Sequence, residues 1–239
     1  LKWAGIKAGT AVLEVKKGEG GIMIISTARS ADWISVFYPV EVRVVSASSK
    51  AAAIPNDLLP VSYRLMISKG KRKRDKEVIF RHDEKKAVFI NHIGKREEVD
   101  IPSVIFDPLS GKKFPNLGKK NYVDIPSVIF DPLSGFYHLR NMELVPEKSV
   151  YLPVFDRKKV WNIEVQVLGR EKIETPIGTF NTVLVKTVLV KPLMKSEGIF
   201  SKKGELFIWL TDDKNKIPVR LKSKVTVGSI TAELISGAY

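Results

Sequence analysis

The chain has 239 residues, 44% hydrophobic and 28% charged, a balance that fits one large globular domain or two small ones. Cysteine is absent, which excludes disulfides, zinc–thiolate sites and a thiol nucleophile. Basic residues outnumber acidic ones, 40 to 26, for a formal net charge of +14. Such a surplus directs attention to anionic partners (nucleic acid, acidic lipid head groups, polyanionic glycans) beside its plain effect on solubility.

The N-terminal half reads as strands. The chain starts at Leu1 without a methionine, and a trimmed or processed start is expected. Residues 10–16 alternate, with Ala11, Leu13 and Val15 on one face and Thr10, Glu14 and Lys16 on the other. That is the pattern of a half-buried strand. A glycine-rich turn at 17–21 returns it over 22–27. The period then changes. Trp33, Ile34, Phe37 and Tyr38 fall at helical spacing behind Ser30, and Pro39 stops the run. A short helix is expected there, its aromatic face packed on the sheet. Strands are expected next at 41–46 and 61–67, the latter with Val61, Tyr63, Leu65 and Ile67 inward; 46–56 reads as a loop or weak helix. Lys69, Lys71, Arg72, Lys73, Arg74 and Lys76 crowd between two strands, which reads as a solvated hairpin tip. Two more strands are expected at 77–82 and 86–91.

The centre contains one run twice. VDIPSVIFDPLSG occupies 99–111 and again 123–135. With its flanks it forms a tandem duplication, expected to be an insertion at about 88–135 in a single domain over 1–239, since two units are too few for a solenoid. The copies differ in their C-terminal flanks. Asp131 is an N-cap with Pro132 at the first helical position, and Leu133, Phe136, Tyr137 and Leu139 continue at helical spacing. After Asp107 the chain meets Gly111, Lys112, Lys113 and Pro115, which end a helix within a turn. A helix is therefore expected only after the second copy, with the first at the periphery and 111–120 exposed.

Beyond the second copy, 149–155, 160–168, 180–190, 206–210, 217–227 and 230–235 read as strands. Thr175, Pro176, Ile177 and Gly178 suit a tight turn, and 211–216 is a polar hairpin loop. In the clearest strand Trp161, Ile163, Val165 and Val167 oppose Asn162, Glu164 and Gln166. Near the end Arg220, Lys222 and Lys224 share one face against Val219 and Leu221. A basic stripe on a strand has fixed geometry, unlike a basic loop. About a dozen strands and one or two short helices imply an all-β fold, a long antiparallel meander. Such a meander is expected to curl into a barrel or half-barrel to protect its edges.

Catalytic signatures are scarce. His82, His92 and His138 are not at metal-ligand spacing with one another. Asp212 and Asp213 read as turn residues. No phosphate loop, serine elbow or dinucleotide fingerprint occurs, and no metal or cofactor is implied.

WAGIKAG at 3–9, DPLSGFYHLR at 131–140, TPIGTF at 175–180, LFIWLTDD at 206–213, IPV at 217–219 and VGSITAEL at 227–234 occur in that order. In these stretches the chain resembles the bacterial exported family catalogued as domain of unknown function 3108. The resemblance implies export across the inner membrane and a β-rich fold; it carries over no catalytic residues. The chain departs from the family at the first copy of the repeat. A looser, fold-level likeness is to periplasmic lipoprotein carriers, whose curved sheets hold acyl chains.

The expected function is that of a non-enzymatic envelope protein, in the periplasm or at the cell surface. It would bind a lipidic or anionic glycan or amphiphile ligand in or on a curved sheet. Trp161, Trp209, Arg220, Lys222 and Lys224 are the candidate ligand-binding residues. The alternative is a structural or assembly protein that self-associates or docks to an envelope partner. Nucleic acid is the least favoured partner, because charge alone carries that reading.

Overall fold

Alternating apolar positions turn most of this chain into antiparallel strands, each paired with its neighbour in sequence. The structure, a computed structural model, describes residues 1–50, 58–91, 96–100, 129–156, 158–190, 205–224 and 228–237. Two short strands, β1 (Lys2–Trp3) and β2 (Ile6–Lys7), open the chain. Then come β3 (Gly9–Gly18), β4 (Gly21–Ser30), the one-turn helix α1 (Asp32–Ser35), β5 (Val40–Lys50), β6 (Leu58–Lys69), β7 (Arg72–Arg81), β8 (Lys86–Asn91) and β9 (Arg96–Asp100). After the repeat come α2 (Pro132–Leu139), β10 (Ser149–Asp156), β11 (Lys159–Thr175), β12 (Gly178–Val190), β13 (Leu206–Thr211), β14 (Pro218–Lys224) and β15 (Ser229–Glu233).

The strands make two sheets. The N-terminal sheet is seven strands in the order β3 to β9. The C-terminal sheet is eight strands, β10 to β15 and then β1 and β2. All-β antiparallel order is thus observed, but neither sheet closes into a barrel: among the described residues, no end strand pairs with the opposite end of its sheet. The break falls where the meander is interrupted. Residues 129–139 do not continue it; α2 packs instead against β10 of one sheet and β5 and β6 of the other.

The core results from that insertion. One buried cluster joins Phe130, Leu139 and Leu144 to Leu152, Val154, Val165, Val167, Val183, Val185, Ile208 and Leu210. A second is shared by both sheets: Tyr63, Val78, Phe80, Ala87 and Phe89 meet Ile129, Phe155 and Val160. Asp131 sits between the two sheets and caps α2. Its Oδ1 accepts from the backbone N–H groups of Leu133 (2.9 Å) and Ser134 (3.1 Å). Its Oδ2 accepts from the hydroxyls of Ser134 and of Ser46 on β5, both at 2.7 Å. Gly135 lies in a tight spot: a Cβ there would lie 3.2 Å from the Phe130 Cβ and 3.4 Å from the Val154 Cγ2.

Several local expectations change. β3 has no covered face, and Leu13, expected inward, is exposed. The cause is its distance from the core: neither buried cluster includes a residue of β3. α1 forms, but Ser30 does not cap it. The cap position is Ala31, and Ser30 Oγ bonds Ser35 Oγ and the Val40 N–H. Its aromatic side chains turn outward rather than onto the sheet. On β6, Tyr63 is buried, while Val61 at the other end of the expected inward row is exposed. Residues 46–50 are strand rather than loop, and β11 continues through a bulge between Val167 and Gly169 to Thr175. The first copy contributes Val99 and Asp100 to β9; its remainder, and 111–120, lie outside the described residues.

Candidate ligand-binding face

The outer face of the C-terminal sheet gathers the chemistry, through register. Ile208 and Leu210 of β13 point into the core, so Phe207 and Trp209 point out. By the same alternation Val219 is buried and Arg220, Lys222 and Lys224 face outward. Strand pairing lines these residues up. Gln166 opposes Lys186, Lys186 opposes Phe207, Phe207 opposes Lys222, Lys222 opposes Thr231, and Thr231 opposes Lys2. The neighbouring row runs Leu184, Trp209, Arg220, Glu233.

The aromatic pair is held in place. Trp209 Nε1 donates to Glu171 Oε1 at 2.5 Å, and the Arg220 guanidinium lies 5.8 Å from its ring centroid. Phe207 lies 6.4 Å from Trp209, with the Lys186 ammonium 5.7 Å from its own centroid. Cations over aromatic faces at these distances attract through the ring quadrupole.

Two carboxylates on this face each serve two cations. Glu233 binds Lys2 at 2.7 Å and Arg220 at 2.9 Å. Glu205 binds Lys186 at 2.6 Å and Lys224 at 3.0 Å. The hydrogen bond from Lys186, then that from Lys224, holds the Glu205 carboxyl below the usual range; the bond from Lys2 does so first for Glu233. Two cations to one carboxylate leave each cluster positive. Lys222 stands between the clusters, exposed, with no ion-pair partner among the described residues. The arrangement can stack a flat apolar ring or sugar face on Trp209 and Phe207 while Lys222 and Arg220 receive an anionic group.

Trp209, Arg220, Lys222 and Lys224 are thus brought together, and Trp161 is not. It is buried on the opposite, core side, its Nε1 donating to the Asp156 carbonyl at 3.2 Å. Phe207, Lys186, Glu205 and Glu233 belong to the face but do not stand out in the sequence. Phe207 is available from the alternation in β13, whereas Lys2 depends on β1 pairing with β15 across the whole chain.

Other candidate groups have local roles. Asp213 accepts from the N–H groups of Asn215 and Lys216 and from Thr211 Oγ1, and Asp212 pairs with Arg170 at 2.8 Å; both are turn residues. His82 bonds the Pro60 carbonyl at 2.7 Å and His138 stacks on Phe130; His92 lies outside the described residues. No group of three or more metal-ligating side chains occurs among the described residues, and no helix there is long and apolar enough to cross a membrane. The two best-formed cavities have volumes of about 10 and 20 Å³, at Ser48–His138 and at Tyr63–Phe155. Each is the size of one water, far below the several hundred Å³ of a ligand pocket.

These features define a two-sheet antiparallel protein with an aromatic, net-basic face. The chain belongs to the family described as protein of unknown function DUF3108, whose sequence profile matches residues 1–112 and 110–235. The two matched stretches meet at the end of the first repeat copy, so each contains one copy. No curated protein and no solved structure matches the chain.

Proposed function

We propose that this is a non-enzymatic binding protein of the bacterial envelope that holds an anionic ligand, an acidic glycan or an amphiphile head group, on the outer face of β12–β15. The supporting observation is Lys222: an exposed ammonium without an ion-pair partner among the described residues, set beside Phe207 and between two positive clusters. The cavities favour binding on the sheet over burial of an acyl chain within it. Calorimetric titration with an acidic oligosaccharide and with a short-chain phosphatidylglycerol tests this reading. One of them is expected to bind at micromolar levels, with Lys222→Glu and Trp209→Ala each weakening it about tenfold or more. Absence of binding by both, or unchanged affinity in Lys222→Glu, contradicts it. Export belongs to the same proposal, and fractionation of cells expressing the full gene tests it.

A second reading, assembly of the envelope by strand pairing, draws on β3. Among the described residues this ten-residue strand pairs on one side only, and it exposes Val12 and Leu13. Unpaired edges of this kind template strand addition. Sedimentation as a monomer at high concentration, together with no partner in envelope pull-downs, rejects that reading.

A further inference from the structure

A different surface, at one end of the N-terminal sheet, carries an independent inference. The chain leaves β4 at Ser30, makes α1 and enters β5 at Val40. Between them stands a knob of apolar side chains. Val36 is 76% exposed and Phe37 86%, with Trp33 and Tyr38 more than half exposed beside them. Side chains this exposed protrude; they do not line a groove.

The knob is fixed to its surroundings. Trp33 Nε1 donates to the Lys7 carbonyl at 2.8 Å, and the N–H of Gly70 donates to the Pro39 carbonyl at 3.0 Å. The second bond places the β6–β7 hairpin tip against the base of the knob, and Val40 pairs directly with Lys69. That tip is Lys69, Gly70, Lys71, Arg72, Lys73 and Arg74, exposed throughout. None of its five basic side chains is held in an ion pair among the described residues. The hairpin that reads in sequence as a solvated tip is therefore half of a composite surface: protruding aromatic and aliphatic groups flanked on one side by unneutralised cations.

We infer that this end of the molecule docks onto an anionic lipid bilayer, with Phe37 and Val36 entering the acyl boundary, Trp33 and Tyr38 at head-group depth, and Lys71, Arg72 and Lys73 on the phosphates. Charge complementarity selects the occupant. A bilayer offers an apolar layer behind a negative one, the order in which the knob and tip are built. Aromatic rings and basic side chains are the residues that settle at that boundary. Each cation near an anionic surface adds to binding, and the attraction falls with salt.

The test is vesicle co-sedimentation of the purified protein, using equal parts phosphatidylglycerol and phosphatidylcholine and, separately, phosphatidylcholine alone. Binding is expected to the anionic vesicles only and to weaken with salt. Phe37→Asp is expected to lower partitioning about tenfold or more, as is the triple Lys71→Glu/Arg72→Glu/Lys73→Glu variant. Both changes lie at exposed positions, so the melting temperature should hold. Lys17→Glu, exposed at the opposite end of the same sheet, should bind vesicles as wild type does. Phe37→Asp and the triple variant should keep the soluble-ligand binding that Lys222→Glu loses, which separates this inference from the ligand-binding proposal. Equal binding by Phe37→Asp and wild type, absence of vesicle binding, or concentration-dependent dimerisation that Phe37→Asp abolishes would each overturn it.

Discussion

Asp131 is where the two sheets and the second repeat copy meet. Burial pushes its carboxyl above the ordinary value of 3.8, partly offset by hydrogen bonds from Ser134, Ser46 and Leu133. A raised pKa means the folded state favours the protonated form. The group's contribution is full below its unfolded pKa and is lost as pH rises through the folded one. Asp131→Asn removes the titration but keeps the shape. The stability of wild type minus that of Asp131→Asn should therefore fall as pH rises above the ordinary carboxyl value of 3.8, read by thermal melts across pH. A constant difference contradicts this account of the cap. Ser46→Ala removes a buried donor to Asp131 and should cost about 1–3 kcal/mol by urea denaturation. The Asp-Pro pair makes the helix start readable from sequence, since both residue types act locally. That Ser46, far away in the chain, supplies a donor is not readable, because no local pattern records which strand passes a helix cap.

At the scale of elements, periodicity locates β8, β10, β12 and β13 within a residue or two but ends β5 and β11 short, and it misjudges which faces are covered. Val165 and Val167 of β11, Val183 and Val185 of β12, and Ile208 and Leu210 of β13 alternate and are buried as the alternation implies. β3 alternates as cleanly, yet neither buried cluster includes any of its residues and most of its side chains are exposed. Alternation reports how a strand would be used, and whether another layer packs on it decides whether it is. The face around Lys222 shows the same division: Arg220, Lys222 and Lys224 are legible as a stripe, whereas the pairing of Arg220 with Glu233 and of Lys224 with Glu205 requires strand order. In α2, Gly135→Val should overpack against Phe130 and Val154 and cost about 1–3 kcal/mol, checked by denaturant melts. The repeat makes a stronger prediction. Ile129 shares a buried cluster with Ala87, and Ala87 pairs with Val99 at the start of the first copy. The chain thus returns close to where it left. Deleting residues 112–135 joins the first copy to Phe136 and rebuilds the same local sequence, and loop-closure entropy depends weakly on length. The melting temperature should shift by no more than about 4 °C. Loss of cooperative unfolding would instead assign the first copy an integral place in the core.

Across the whole molecule, the charge of +14 is concentrated in places. Part of it sits at the β6–β7 tip beside the Phe37 knob, and part on the outer face of the C-terminal sheet around Lys222. The two surfaces lie on different sheets and use different contacts, so each can be lost without the other. Taken together, the two proposals would have the protein rest on an anionic membrane surface and present a separate face to an anionic ligand. The ligand face is the central claim, and mapping backbone amide shifts by NMR during titration with an acidic oligosaccharide or short-chain phosphatidylglycerol tests it most directly. The account predicts saturable shifts concentrated on β12–β15 around Trp209, Arg220 and Lys222, absent in Lys222→Glu. Shifts confined to the cavity around Tyr63 and Phe155, or none on β12–β15 with either ligand, would contradict it.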